Sequence, residues 1–403
     1  MLLISVGDEI LRHPEGAVAE RLRSYARRAG SITQVTYSPA AHRCQAMCWG
    51  DEPGGRPHPG LLPDGEGARP CSDRLWSIPT RSGTRVMYVA DAIRIGHSIL
   101  RRDRFDLIET QDPVMAGVAG LILGRMHRVP VVIGCHHEYT TSKAWITESL
   151  RNRVESSIAR GTITRADGVR AVSRRVAEGA RELGVASERV GVASVPIDAR
   201  MYARGRDETP ARRGWSESPA RESSRRVLFA GRVERQKDVP AIIRAVAGIS
   251  GARLDVVGAG SQLRACRALA ESLGVSDRVA FHGAVVPADL SDFYWTCDVF
   301  TTPSLYEGYG RVFAEAAIHG APSVGTRVGG IVDIVDDSNG VLVAPGDPDA
   351  LRVSLRSFLD DPARATAVGQ NAWRRGIERF NPESDVERIV TFWSHIATLG
   401  CRT

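Results

Sequence analysis

Lysine is almost missing from this chain of 403 residues: of its 53 lysines and arginines, only Lys143 and Lys237 are lysines. A coding bias toward arginine accounts for most of the scarcity, and it makes each lysine informative. Where arginine is the default cation, a lysine inside a motif marks a place for a compact point charge rather than a fork. Long apolar runs are missing as well, which excludes a membrane-spanning helix. Aromatics are few, at 6%, and none interleave with the basic clusters Arg21, Arg23, Arg27, Arg28 and Arg101, Arg102, Arg104, so a nucleic-acid partner is not expected. The N-terminus, MLLISVGDEI, lacks the cationic stretch, apolar core and small-residue cleavage site of a secretory leader. A cytoplasmic chain with reduced thiols is therefore expected. The seven cysteines are odd in number. Cys44, Cys48 and Cys71, with His42 and His58 nearby, follow no paired zinc-ligand spacing and are expected in a loop.

What is present is a balanced globular composition, 43% hydrophobic and 25% charged, enough for two domains that each bury a core. Short apolar runs alternate with longer helical patterns, the signature of parallel sheets covered by helices. The fold class is α/β: two Rossmann-like domains facing across a cleft. The first spans 1–202, with strands at 2–6, 31–37, 105–110, 129–134 and 167–173 and helices near 16–29, 85–102, 114–127, 145–163 and 174–183. Residues 38–84, rich in proline and glycine, resist a strand or helix reading. A polar linker is expected over 203–225. The second domain, 226–380, carries strands at 226–231, 253–258, 278–283, 298–303, 321–326 and 339–345 with helices between and after them. Residues 381–403 form a final helix, a candidate to return to the first domain. Residues 1–226 hold 35 Lys and Arg against 26 Asp and Glu, a net of +9, while 227–403 carry −3. The basic half suggests an anionic partner.

Two segments carry chemistry. In SLYEGYGRVFAEA, 304–316, a strand end turns through Gly308 and Gly310 into a helix. Glu307 precedes that helix, and Glu315 lies close to two turns further along the same face. Helix-start amides can hold a phosphate, and two carboxylates can accept hydrogen bonds from paired hydroxyls such as those of a sugar or ribose. In FAGRVERQKD, 229–238, a strand ending at Gly231 leads through Arg232 to Lys237, a fork and a point charge suited to phosphate.

These residues resemble the donor-binding domain of family 4 glycosyltransferases, the retaining group 1 type with the GT-B fold. Arg232 and Lys237 match the family's Gly-Arg…Lys element. Glu307 and Glu315 match its Glu, seven residues, Glu motif, and 325–351 resembles the segment that follows. In the first half, PVVIGCH (130–136), RAVSRRV (170–176) and SVPID (194–198) resemble the same family more weakly. The resemblance implies that Arg232 and Lys237 bind the donor diphosphate, Glu315 the ribose and Glu307 the transferred sugar, with Gly308, Tyr309, Gly310 and Arg311 offering backbone amides. It places the base at Gly283 to Val285, and gives His136 a position facing the sugar. The family's Gly-Gly loop is replaced here by HPEGAVAER, in which Gly16 can offer an amide while Glu15 would repel a diphosphate.

The resemblance implies a retaining glycosyltransferase that moves a sugar from a nucleotide diphosphate sugar to an acceptor hydroxyl, needing no metal and no cofactor. The acceptor is a glycan, a lipid-linked molecule or a small molecule. An anionic membrane surface is a further candidate partner, at the inner face. The rival is a sugar-nucleotide epimerase or phosphorylase of the same architecture. Conversion of donor alone, without acceptor, would favour the epimerase.

Overall fold

The computed structural model describes residues 1–5, 17–37, 47–49, 58–59, 75–197 and 225–400. The chain divides into two compact units. The first comprises Met1–Ser194 and Glu383–Thr403, and the second Val195–Pro382. The expected 203–225 linker lies outside the described residues except for Arg225. So do Gly16, Glu15, His42, Cys44 and Cys71; of Cys48 and His58 only the backbone is described.

In the first unit the chain runs β1 (Leu2–Ser5), α1 (Ala17–Ala29), β2 (Ile32–Thr36), β3 (Met47–Trp49), β4 (His58–Pro59), β5 (Leu75–Pro79), α2 (Arg85–Arg102) and β6 (Ile108–Thr110). It continues through α3 (Met115–His127), β7 (Val131–Cys135), α4 (Lys143–Glu148), α5 (Leu150–Ile163), β8 (Gly168–Ala171), α6 (Arg174–Glu182) and β9 (Val190–Val192). The sheet order is β4-β3-β5-β2-β1-β6-β7-β8-β9. All pairings are parallel except those of β3 with β4 and β5. Short, almost wholly buried strands such as VVIGC are what helices on both faces require.

Three expectations need correction. The proline-rich excursion is not free of strands, because LWSIP joins the sheet beside β2 in parallel register, Ile32 opposite Leu75. Its proline sits at the last position of the strand, where it interrupts no run. The single helix expected over 145–163 is two, because Ser149 is extended (φ −154°, ψ 158°) and its hydroxyl caps α5 by accepting from the Asn152 amide at 3.1 Å. A further short strand, β9, follows α6.

The second unit holds β10 (Arg226–Ala230), α7 (Val239–Ala247), β11 (Arg253–Val257), α8 (Leu263–Ser272), β12 (Val279–Gly283), α9 (Pro287–Thr296) and β13 (Val299–Thr302). After these come α10 (Arg311–Ile318), β14 (Ser323–Thr326), α11 (Ile331–Ile334), β15 (Gly340–Val343), α12 (Pro348–Leu359) and α13 (Pro362–Arg379). Its sheet order is β12-β11-β10-β13-β14-β15, parallel throughout. The chain winds outward from β10 in one direction and from β13 in the other, so the order reverses between them. In open α/β sheets ligands bind beyond the carboxyl ends of the strands at such a reversal. A core of Val227, Phe229, Ile242, Val246, Leu254, Val256, Val299, Leu355 and Phe358 makes this frame rigid.

The last helix, α14 (Pro382–Gly400), belongs to the first unit, where Val386, Ile389, Trp393 and Ile396 complete a core with Leu3, Ile32, Leu75 and Val132. Among the described residues no helix is long and apolar enough to cross a membrane.

Candidate active site

In the second unit β10 ends at Ala230, and Gly231 leads into Arg232. A single 3-10 turn, Arg235–Lys237, follows, ended by Asp238 in the left-handed region at φ 45°. The turn is held from below by a close backbone crossing: a Cβ on Gly258 would lie 1.8 Å from the Gly231 carbonyl oxygen. Only glycine permits that approach. The Val233 amide then donates to the Ala259 carbonyl at 2.9 Å. Glu234 takes the Ser261 hydroxyl at 2.5 Å and the Ser261 amide at 2.9 Å, and these bonds hold its carboxyl below the usual carboxylate range.

That geometry aims Lys237 across the sheet reversal at the loop after β13. Lys237 is 8% exposed, and its Nζ is paired directly with Glu307 Oε2. The Ser304 hydroxyl donates to the same oxygen at 3.4 Å. Gln236 clasps the two loops together. Its carbonyl accepts from the Leu305 amide at 2.8 Å, and its side-chain amide donates to the Tyr306 carbonyl at 2.8 Å. Arg232 is exposed, with a guanidinium nitrogen 3.4 Å from Gln236 Oε1. Gln236 was not among the residues singled out from the sequence; its place beside the rare Lys237 is the signal that could have found it.

Gly310 precedes α10 at φ 84°, a conformation in which a side chain is strained. The Gly308 carbonyl takes the Gly330 amide at 3.1 Å, and Tyr309 is buried, so the loop is tied at several points. Glu315, one turn into the helix, is almost buried, with Arg311 Nε 2.9 Å from one carboxylate oxygen and the Tyr294 hydroxyl 3.2 Å from the other. Behind it the buried His319 touches the Glu315 carbonyl at 2.7 Å and Ser291 Oγ at 3.0 Å, and stacks on Tyr294. The structure thus brings Lys237 and Glu307 into contact between neighbouring loops, with Arg232 on the loop of Lys237 and Glu315 on the helix that follows Glu307. It gives Arg311 a side-chain role on Glu315 that the motif did not foretell, and adds Tyr294. At the far end of this sheet edge Gly283, at φ 72°, accepts from the Gly258 amide at 2.7 Å, and Val285 is half-buried just beyond.

In the first unit His136 follows β7 and is half-buried. Arg170 Nη2 lies 3.3 Å from its Nε2. Burial, then the charges of Arg170 and Arg21, push its pKa down to about 3, so the imidazole is neutral at ordinary pH. The adjacent His137 is engaged elsewhere, edge-on to Tyr139 and Trp145 with ring centroids 5.3 and 5.0 Å away.

Two family models match the chain, Glycosyltransferase Family 4 over residues 52–201 and Glycosyl transferases group 1 over residues 214–375. The chain belongs to the family 4, group 1 glycosyltransferases. Among curated relatives of this glycosyltransferase, a D-inositol 3-phosphate glycosyltransferase of Catenulispora acidiphila is 28% identical over 66% of this chain and 68% of the relative. A second, from Xylanimonas cellulosilytica, is 39% identical over 38% of each chain. The fold is shared with sucrose-phosphate synthase of Thermosynechococcus elongatus, at TM-score 0.74, 20% identity and full coverage of both chains. It is shared too with Anabaena HepE, solved with UDP, at TM-score 0.70 and 20% identity, with 98% of this glycosyltransferase and 99% of that chain covered. The fold is therefore GT-B, two α/β units.

Proposed function

We propose that the enzyme moves a sugar from a nucleotide diphosphate sugar to an acceptor hydroxyl with retention of configuration, the second unit holding the donor and the first the acceptor. The observation that carries this reading is the Lys237–Glu307 pair at the reversal of the sheet order. Each member is a group that a sugar diphosphate would engage. Lys237 and Arg232 meet the diphosphate and offset the charge that builds on the departing nucleotide, the kind of preorganised electrostatic effect that dominates such chemistry. Glu307 turns to the sugar hydroxyls, and Glu315 to the ribose. Gly231, Gly308, Tyr309, Gly310 and Arg311 supply backbone contacts, and Gly283 and Val285 flank the base. Anabaena HepE, whose fold this chain shares, was solved in complex with UDP-glucose, which supports a nucleotide sugar here.

In this reading the acceptor oxygen attacks from the face the nucleotide leaves, forming the new glycosidic bond as the bond to phosphate breaks, and the leaving phosphate takes the acceptor proton. No enzymic base and no metal are called on, because Arg232, Lys237 and the start of α10 supply the positive field. His136 contacts the transferred sugar. The acceptor belongs to glycan, glycolipid or natural-product synthesis, and a place for it at the inner membrane face is supported by the net +9 of residues 1–226.

Glu307→Ala and Lys237→Ala are each expected to abolish transfer from the donor while far-UV circular dichroism stays that of the parent. Wild-type rates in either variant would refute the assignment.

A further inference from the structure

Strands β6, β7 and β8 lie side by side in the first unit, with Glu109 on β6, Gly134 on β7 and Arg170 on β8. Glu109 is fully buried and Arg170 is 4% exposed, yet they form an ion pair across the intervening strand, Arg170 Nε to Glu109 Oε1 at 2.6 Å. Gly134 stands opposite Arg170 in the register. A Cβ there would lie 2.7 Å from the Thr110 carbonyl oxygen, 3.2 Å from Arg170 Nη2 and 3.5 Å from Glu109 Oε1. The missing side chain is what lets the pair close over β7.

A buried ion pair is seldom worth more to stability than apolar side chains of the same volume. Its return has to be sought in what it touches. Arg170 reaches past the pair with Nη2, which lies 3.3 Å from His136 Nε2. Among the described residues no other group hydrogen-bonds to that ring. A guanidinium stays protonated and has no lone pair, so it can only donate. The ring nitrogen facing it must accept, and the ring's single hydrogen is then on Nδ1.

We propose that Arg170 is a positioning residue which, anchored by Glu109 through the gap at Gly134, fixes His136 as the Nδ1-protonated neutral tautomer and so makes it a hydrogen-bond donor to an oxygen of the sugar. This rests on the reading of His136 as a sugar contact. The charged groups that face the ring are Arg170 from β8 and Arg21 from α1, with Glu109 behind Arg170. Both arginines oppose a second ring proton, consistent with the lowered pKa already noted. His136 therefore acts as a donor of one N–H and not as an acid.

Selective 15N labelling of histidine in the full chain, read by long-range 1H–15N correlation, tests this directly. The wild type is expected to show the Nδ1–H tautomer for His136 and no titration between about pH 5 and 8. Removing Arg170 alone would strand Glu109, so the informative variant is the apolar pair Glu109→Leu with Arg170→Met. In that variant His136 should shift toward the Nε2–H tautomer, and its pKa should rise only by the part due to Arg170, because burial still holds it down. The variant's kcat/KM should fall about tenfold. An Nε2–H tautomer in the wild type, or an unchanged spectrum in the double variant, would overturn the proposal. If the spectra behave as expected but His136→Ala transfers sugar at the wild-type rate, the tautomer assignment stands and the sugar-contact reading of His136 falls.

Discussion

At the scale of single residues, Glu315 shows how much of a site lies in what surrounds the motif. Its carboxylate is held on one side by Arg311 and on the other by the Tyr294 hydroxyl, itself buried against His319. A carboxylate pinned at both oxygens loses little freedom when it meets paired hydroxyls, and preorganisation of that kind favours binding. Tyr294→Phe removes one bond and leaves the ring in place. The expected cost is about 0.5–1.5 kcal/mol, read as a rise of a few-fold in donor KM with kcat nearly unchanged. A loss confined to kcat in steady-state kinetics would count against a ribose-holding role. The rarity of lysine marked Lys237 and the family motif marked both glutamates, but the expected two turns of one helix face between the glutamates did not hold, because α10 begins at Arg311, beyond Glu307. Tyr294, Gln236 and Glu109 were not marked, because each reaches its partner from a different strand or helix, and no periodicity within a segment records such a meeting. Arg170 sat inside a segment that resembled the family, but nothing local tied it to Glu109, 61 positions away.

At the scale of elements, α2 was legible to the residue because its ends are chemical: the Thr84 hydroxyl accepts from the Met87 amide at 3.2 Å, and Asp103 is extended at the other end. β5 was hidden because its five residues are a short stretch of a long Pro- and Gly-rich run, and its apolar residues show no period that separates them from loop. The split at Ser149 was hidden because a serine within a helical pattern reads as helix or cap equally well. α14 was visible as a helix, but its docking depends on glycines elsewhere. A Cβ on Gly168 would meet Ile396 at 2.8 Å, and one on Gly191 would meet Phe392 at 2.5 Å. The last helix thus sits directly on β8 and β9 and seals the first core. Ile389→Ala, at a side chain with no exposure, is expected to cost the first unit about 2–5 kcal/mol. Hydrogen-exchange mass spectrometry should show protection lost in peptides from β1, β2 and β7 and kept in those from β10 to β15. Equal loss in both sets would mean that the two cores do not open separately.

At the scale of the whole molecule, charge and function are divided along the chain: the residues proposed to bind the anionic donor sit in the mildly acidic half, and the surplus of positive charge sits in the other. The excess is therefore open to an anionic partner besides the nucleotide. In the first unit Ile122, Arg125 and Met126 fall on one face of α3 by helical spacing, with Ile122 37% and Met126 54% exposed. Arg94, Arg101, Arg102 and Arg104 are exposed on and just after α2, the helix packed against α3, with Asp103 and Asp106 offsetting part of their charge. Apolar side chains among arginines fit an anionic bilayer surface better than a free anion, which would have no use for Met126. Each arginine near such a surface contributes about 1 kcal/mol, and the attraction fades beyond a Debye length of about 8 Å at physiological salt. The full chain is expected to float with vesicles containing anionic lipid, to release as salt rises, and to ignore neutral vesicles. Arg101→Glu with Arg125→Glu reverses two charges far from Lys237 in sequence and should weaken flotation at least tenfold. Flotation that is equal on neutral and anionic vesicles, or insensitive to salt, would assign the basic half to some other anionic partner.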